Sequence, residues 1–308
     1  MTDDHTPAAE EIVAGLLRPA AAISPKYFYD VRGSELFEAI TELPEYYPTR
    51  TEREIMATHA DAIAAKIGAG GTVIELGAGN CEKARELCAS LRPARFVAVD
   101  IAAEFLRGAV ERMRSTFPWL DVRAVAADLS AEIALPADLP RERRLVFYPG
   151  SSIGNFDPSQ ALDLLARIRH LLDQDGGLLI GVDLEKDAAV LESAYDDVVG
   201  VTAAFNRNVL DHVNRLLGSD FDAAQWRHHA FYNAEESRIE MHLEAATALR
   251  VAWPGGERFF ARGERIHTEN SYKYRIGSFI ELLNRAGFRH AETWTDERRW
   301  FAVILAHP

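Results

Sequence analysis

The chain has 308 residues, 48% of them hydrophobic, enough to bury a sizeable core as one large domain or two modest ones. Its 34 basic residues are scattered among 47 acids, a net charge of −13, which argues against a nucleic-acid partner. No apolar run approaches the roughly 18 residues that span a bilayer, and two cysteines, Cys81 and Cys88, make no disulfide framework, so a reduced, cytoplasmic, monomeric protein is expected.

The opening stretch MTDDHTPAAEE is acidic and polar, unlike a secretory or transit peptide. Residues 1–52 show no sheet pattern but carry a dense aromatic cluster, KYFYD and PEYYPTR. From 53 to 185 the pattern alternates. Helix-period segments (EREIMATHADAIAAKI, EFLRGAVERMRSTF, PSQALDLLARIRHLL) separate short apolar runs, TVIEL, RFVAVD, VRAVAAD, RLVFYPG and GLLIGVDL. Such runs, interleaved with helices, predict an α/β fold with a parallel sheet covered on both faces. Between 186 and 275 the texture changes: a long helical stretch, 187–217, leads to RIEMHLEAATALRVAW, which reads as a strand, and PGGERFF turns into another. SFIELLNRAGF then predicts a helix stopped at Gly287, and ETWTDERRWFAVILAHP a hairpin. The expected organisation is a sheet domain of 53–185 and 276–308, with a second, discontinuous α+β domain of 1–52 and 186–275.

The stretch VIELGAGNCEK, Val73–Lys83, places two glycines after a buried strand, a sign of backbone held close to a ligand. A dinucleotide fingerprint wants G-x-G-x-x-G, and here Glu82 holds the third position. Glu75, Gly77 and Gly79 instead fit the acid-x-G-x-G turn of methyltransferases that use S-adenosylmethionine. Asp100 ends the next strand, where a carboxylate can accept from both ribose hydroxyls. Asp128, followed by Leu129, ends the strand after that, beside the adenine. Three signals at the C-terminal ends of successive strands match the crevice where open α/β sheets bind ligands. A tight turn and two helix-capping acids would be the plainer account of each taken singly.

Longer stretches are more specific. KYFYDVRGSELFEAITELPEYYPTRTERE, YPGSSIGNF, LEKDAAVLESAYDDVVGVTAAFNRNVL, RIEMHL and IHTENSYKY together resemble the histidine Nα-methyltransferases of ergothioneine biosynthesis, from about residue 25 to the end. The resemblance implies a Rossmann-like methyltransferase sheet carrying a substrate-binding domain, with S-adenosylmethionine as methyl donor and L-histidine as substrate. It implies donor contacts at Gly77, Lys83, Asp100, Asp128 and Leu129. On the substrate side it implies Tyr47, Gly150, Asn155, Tyr195, Glu269 and Ser271, with Met241 of RIEMHL as a further pocket wall, and Tyr47, Asn155 and Tyr195 nearest the chemistry. Two departures stand out: NCEKARELC, where the family more often has small hydroxyl residues, and Asn270, where apolar residues also occur.

The chemistry supports these roles separately. A buried imidazole N–H without an acceptor is costly, so Glu269, helped by the Ser271 hydroxyl, suits a histidine side chain. Asn155 and Tyr195 can orient the amino-acid end without adding charge. Methyl transfer to an amine needs a neutral lone pair aimed at the methyl, and positioning can supply up to roughly 7–11 kcal/mol. Aromatic faces such as Tyr47 accommodate a trimethylammonium product. The rivals are Nα-methylation of a tryptophan-derived compound, which Glu269 disfavours, a non-catalytic nucleoside-binding module, and a dehydrogenase. The ten histidines lack ligand spacing with cysteines or carboxylates, so no metal is expected.

Overall fold

The structure is a computed structural model and describes residues 7–308, so the first six residues of the acidic opening stretch lie outside it. In chain order the elements are α1 (Pro7–Leu16), β1 (Ala21–Ala22), α2 (Val31–Thr41), α3 (Tyr47–Thr58), α4 (Ala60–Ile67), β2 (Thr72–Leu76), α5 (Glu82–Leu91), β3 (Arg95–Asp100) and α6 (Ala103–Thr116). Then follow β4 (Asp121–Ala126), β5 (Arg144–Tyr148), α7 (Pro158–His170), β6 (Gly177–Asp183), α8 (Ala188–Tyr195), α9 (Val201–Leu217), β7 (Trp226–Asn233) and β8 (Arg238–Ala245). The chain closes with β9 (Leu249–Trp253), β10 (Gly256–Phe260), β11 (Arg265–Tyr272), α10 (Ile276–Arg285), β12 (His290–Thr295) and β13 (Phe301–His307). Among the described residues no helix is long and apolar enough to cross a membrane.

Two compact units result. One comprises Tyr47–Lys186 and Tyr272–Pro308. Its seven-stranded sheet runs β12-β13-β6-β5-β2-β3-β4. The five strands β6, β5, β2, β3 and β4 pair in parallel, while β13 runs antiparallel to both β6 and β12. Every residue of β2, β5 and β6 is buried, as expected where helices cover both faces. On one face Ile74, Val97 and Val146 pack with Leu164, Leu165 and Phe279 of α7 and α10. On the other, Val73, Phe96 and Phe147 pack with Ile55, Leu87 and Val110 of α3, α5 and α6. Consecutive crossovers leave β2 in opposite directions, toward β3 and later toward β5, which puts the ligand crevice of such sheets at the C-terminal end of β2. The C-terminal hairpin forms as expected, and α10 ends at Arg285 with Gly287 at φ +97°.

The other unit comprises the described residues up to Tyr46 and Asp187–Ser271. It holds a four-stranded sheet, β1-β11-β8-β7, and a separate β9–β10 hairpin. The long helical stretch divides at Asp197, whose carboxylate accepts the backbone N–H groups of Val201 and Thr202 and starts α9. Arg238–Trp253, expected as one strand, forms two. Pairing of β8 with β7 ends at Ala245 opposite Trp226, and after the bend at Ala246–Ala248 the chain pairs with β10 instead. The unit boundaries also differ from the expected 52/53, 185/186 and 275/276. Residues 47–52 are the first turns of α3, which packs on β13, and Tyr274 bridges to Leu184, so both segments belong with the seven-stranded sheet.

Candidate active site

The glycine turn follows β2 directly. Gly77 and Gly79 have φ of +65° and +50°, and Cys81, at +60°, precedes α5. A Cβ at either glycine would meet no protein atom within 4 Å, so what the fold itself asks of these glycines is their positive φ. Asp100, at the end of β3, is tied to this turn: one oxygen accepts the Gly79 N–H and the other the Ala102 N–H, each at 2.8 Å. Each oxygen keeps a second lone pair for a ligand hydroxyl. Asp128, just past β4, accepts the Ser130 N–H and hydroxyl, and both it and Leu129 are half-buried. Glu75 is 1% exposed, and burial pushes its carboxyl well above the usual carboxylate range, with the Lys83 ammonium opposing the rise. Cys81 and Cys88 are buried and free, as composition implied.

Lys83, on the first turn of α5, reaches a carboxylate that sequence reasoning missed. Its Nζ lies 2.6 Å from Glu52, a 2% exposed residue of α3, and the Gly150 N–H donates to both Glu52 oxygens at 2.9 and 3.0 Å. A carboxylate thus joins an expected donor contact to an expected substrate contact. Gly181 makes room for it: a Cβ there would sit 2.0 Å from Glu52 Oε1. That glycine inside an apolar strand was the one available signal of a close approach. Asn155 closes the 3-10 turn Ser152–Asn155 and is half-buried. It does not cap α7, since Asp157 does so with a full capping box.

Tyr47 opens α3, stands edge-on to Trp300 at 5.2 Å, and belongs to a buried charged group. Its hydroxyl lies 2.8 and 2.7 Å from the two oxygens of Asp183 at the end of β6. Lys186 and Lys273 approach the same carboxylate at 2.5 and 2.9 Å. Burial raises Asp183, but the two ammoniums and the phenol outweigh it and hold the carboxyl below its usual range. Burial pushes Lys186 down to about 8 against the pull of Asp183. Asp183 ends an apolar strand just as Asp100 does, so its position was readable where its partners were not.

The remaining expected residues lie in the other unit. The Tyr195 hydroxyl, at the end of α8, is 2.7 Å from Ser271 Oγ, and its ring meets Tyr46 edge-on at 6.2 Å. Glu269 and Ser271 share β11, where the buried–exposed alternation slips at Thr268–Glu269. Ile266, Thr268, Glu269 and Ser271 are all buried, while His267 and Asn270 are half-exposed. Thr268 Oγ1 donates to Asn206 and to the Met241 carbonyl, which ties the strands carrying Glu269 and Met241 together. Met241 itself is 1% exposed.

Glu240, His242 and His267 bring ligand-type atoms within 4.8 Å of one another, a grouping that sequence spacing did not reveal. The two imidazoles stack at 4.8 Å with 22° between planes, so their in-plane lone pairs do not converge on one point. Glu240 is also held by Arg238 and Asn233. The cluster reads as a hydrogen-bonded patch.

The chain matches the family model "Histidine-specific methyltransferase, SAM-dependent" over residues 8–308. It is 43% identical to a histidine N-alpha-methyltransferase of Mycolicibacterium smegmatis, over 96% of this chain and 93% of that protein. It is 31% identical to ergothioneine biosynthesis protein 1 of Neurospora crassa, over 90% of this chain and 32% of that longer protein. A crystal structure of an S-adenosylmethionine-dependent methyltransferase from Clostridium acetobutylicum superposes with a TM-score of 0.52 at 13% identity, covering 89% of this chain and 98% of that one, a likeness of fold alone. With the glycine turn, the two strand-end acids and the whole-length match in agreement, the chain belongs to the histidine-specific, S-adenosylmethionine-dependent methyltransferase family.

Proposed function

We propose that the protein transfers methyl groups from S-adenosylmethionine to the α-amine of L-histidine, three in succession, to give Nα,Nα,Nα-trimethylhistidine (hercynine), the first step of ergothioneine biosynthesis. The observation that carries this reading is the near-full-length likeness to a histidine N-alpha-methyltransferase, joined to a complete donor turn. We also infer a monomer working in the cytoplasm, in keeping with two buried, free thiols.

On this reading Gly77, Lys83, Asp100, Asp128 and Leu129 hold the donor, which supplies an electrophilic methyl on a sulfonium. Glu269 and Ser271 take the imidazole, Met241 walls it, and Gly150, Asn155, Tyr195 and Tyr47 set the amino-acid end. At each transfer an N–C bond forms as an S–C bond breaks, and the amine must lose a proton before it can attack again. The third product has no N–H left and is a fixed cation, which aromatic faces tolerate.

A mass spectrum of the purified protein incubated with S-adenosylmethionine and the common amino acids tests the reading. Histidine carrying one, two and then three added methyl groups is expected, and histidine left unmodified would remove it. Asp100→Ala should weaken donor binding by about 1–3 kcal/mol, the cost of stranding hydrogen-bonding groups. Unchanged donor affinity by calorimetry would take Asp100 away from the ribose.

A further inference from the structure

The buried group around Tyr47 goes beyond what the methylation reading uses. Asp183, Lys186 and Lys273 have side chains no more than 4% exposed, two cations against one anion. Such clusters are a poor source of stability, because apolar residues of similar volume commonly do as well. Their geometry suggests another use. Asp183 sits between two ammoniums and is an acceptor only, so the phenol proton of Tyr47 is directed into it. Lys186 donates to the same phenol oxygen at 2.7 Å, to Asp183 at 2.5 Å and to the Leu184 carbonyl at 2.5 Å. An ammonium has three N–H donors, and these three acceptors account for them, so Lys186 acts through Tyr47 and not on a ligand. The Asp183 backbone is held as well: its N–H donates to Ser151 Oγ at 2.8 Å, next to the Gly150 turn.

We propose that Asp183 is a positioning residue that fixes the polarity of Tyr47, so that the phenol offers the substrate lone-pair density for an amine N–H and no proton for a carboxylate. The proposal rests on the reading that Tyr47 faces the amino-acid end of histidine. Held by its N–H, the substrate nitrogen is oriented before its lone pair attacks. The carboxylate must then be read by other groups.

Two histidine fragments separate the possibilities: histamine, which keeps the amine and lacks the carboxylate, and imidazolepropionate, which keeps the carboxylate and lacks the amine. Their binding is measured by calorimetry on the full chain with S-adenosylhomocysteine present, alongside histidine itself. Tyr47→Phe and Asp183→Asn should each weaken histamine about tenfold and leave imidazolepropionate within about threefold. Because Asp183→Asn removes the one carboxylate that two buried ammoniums share, Asp183→Asn with Lys273→Met, which restores the native net charge of the cluster, serves as the second variant and should show the same pattern. Structural damage would weaken both fragments together, and that outcome overturns the proposal. So does a loss confined to imidazolepropionate, or no change in either. A wild type that binds no histidine overturns the substrate reading as well, whereas those patterns with histidine binding intact overturn this inference alone.

Discussion

Replacing Glu269 by alanine is expected to lower the preference for histidine over tryptophan about 5- to 150-fold, read as a ratio of kcat/KM values. The carboxylate is 8% exposed on β11, two residues before Ser271, whose hydroxyl is engaged with Tyr195. A buried acceptor of this kind matches an imidazole N–H, and indole offers its single N–H from a larger ring. Removing the side chain leaves the imidazole N–H unpaired and enlarges the space, a mismatch of roughly 1–3 kcal/mol that falls on histidine alone. Glu269→Gln keeps shape and an acceptor while losing the charge, so its effect should be smaller. The two variants and the wild type are compared on both amino acids. A ratio unmoved by Glu269→Ala would mean that the carboxylate does not read the imidazole.

Much of the sheet was legible because a parallel strand covered on both faces has to be apolar along its whole length. TVIEL, RLVFY and GLLIGVD are buried at every position, and nothing but such a strand explains them. The donor turn was legible for a related reason: the chain must turn sharply after β2, and its positive φ values favour glycine, although Cys81 shares them at +60°. What stayed hidden was set by contacts distant in sequence. Tyr47 and Asp183 are 136 residues apart, and Glu52 and Gly150 are 98 apart. No local pattern marks Glu52 in a charged helical run as buried, and only the room left by Gly181 hinted at it. The break between β8 and β9 was missed for another reason. Thr247 and the alanines beside it do not punctuate a strand, and the chain bends there because β7 ends and β10 offers a new partner.

The largest effect on stability is expected at Lys186, and it runs upward with pH. Burial pushes this ammonium from 10.5 down to about 8, with the Lys273 charge adding to the fall and Asp183 opposing it. In the folded chain the proton therefore leaves near pH 8, whereas the unfolded chain holds it until about pH 10.4. Between those values the unfolded state binds more protons, so stability rises with pH by up to about 3 kcal/mol from this group. Below that window both states are protonated and the contribution is flat. Lys186→Met should abolish the rise and leave Asp183 paired with Lys273 at 2.9 Å. Urea denaturation of the wild type and Lys186→Met at pH 8 and pH 10 gives the difference directly, since every other titrating group is common to both proteins. Asp183, held low, acts at the opposite end: its contribution is present above the ordinary aspartate range and is lost as acid protonates it. Should the two proteins gain or lose stability in parallel from pH 8 to pH 10, Lys186 holds its proton as firmly in the folded chain as in the unfolded one, and burial in the cluster does not push it down.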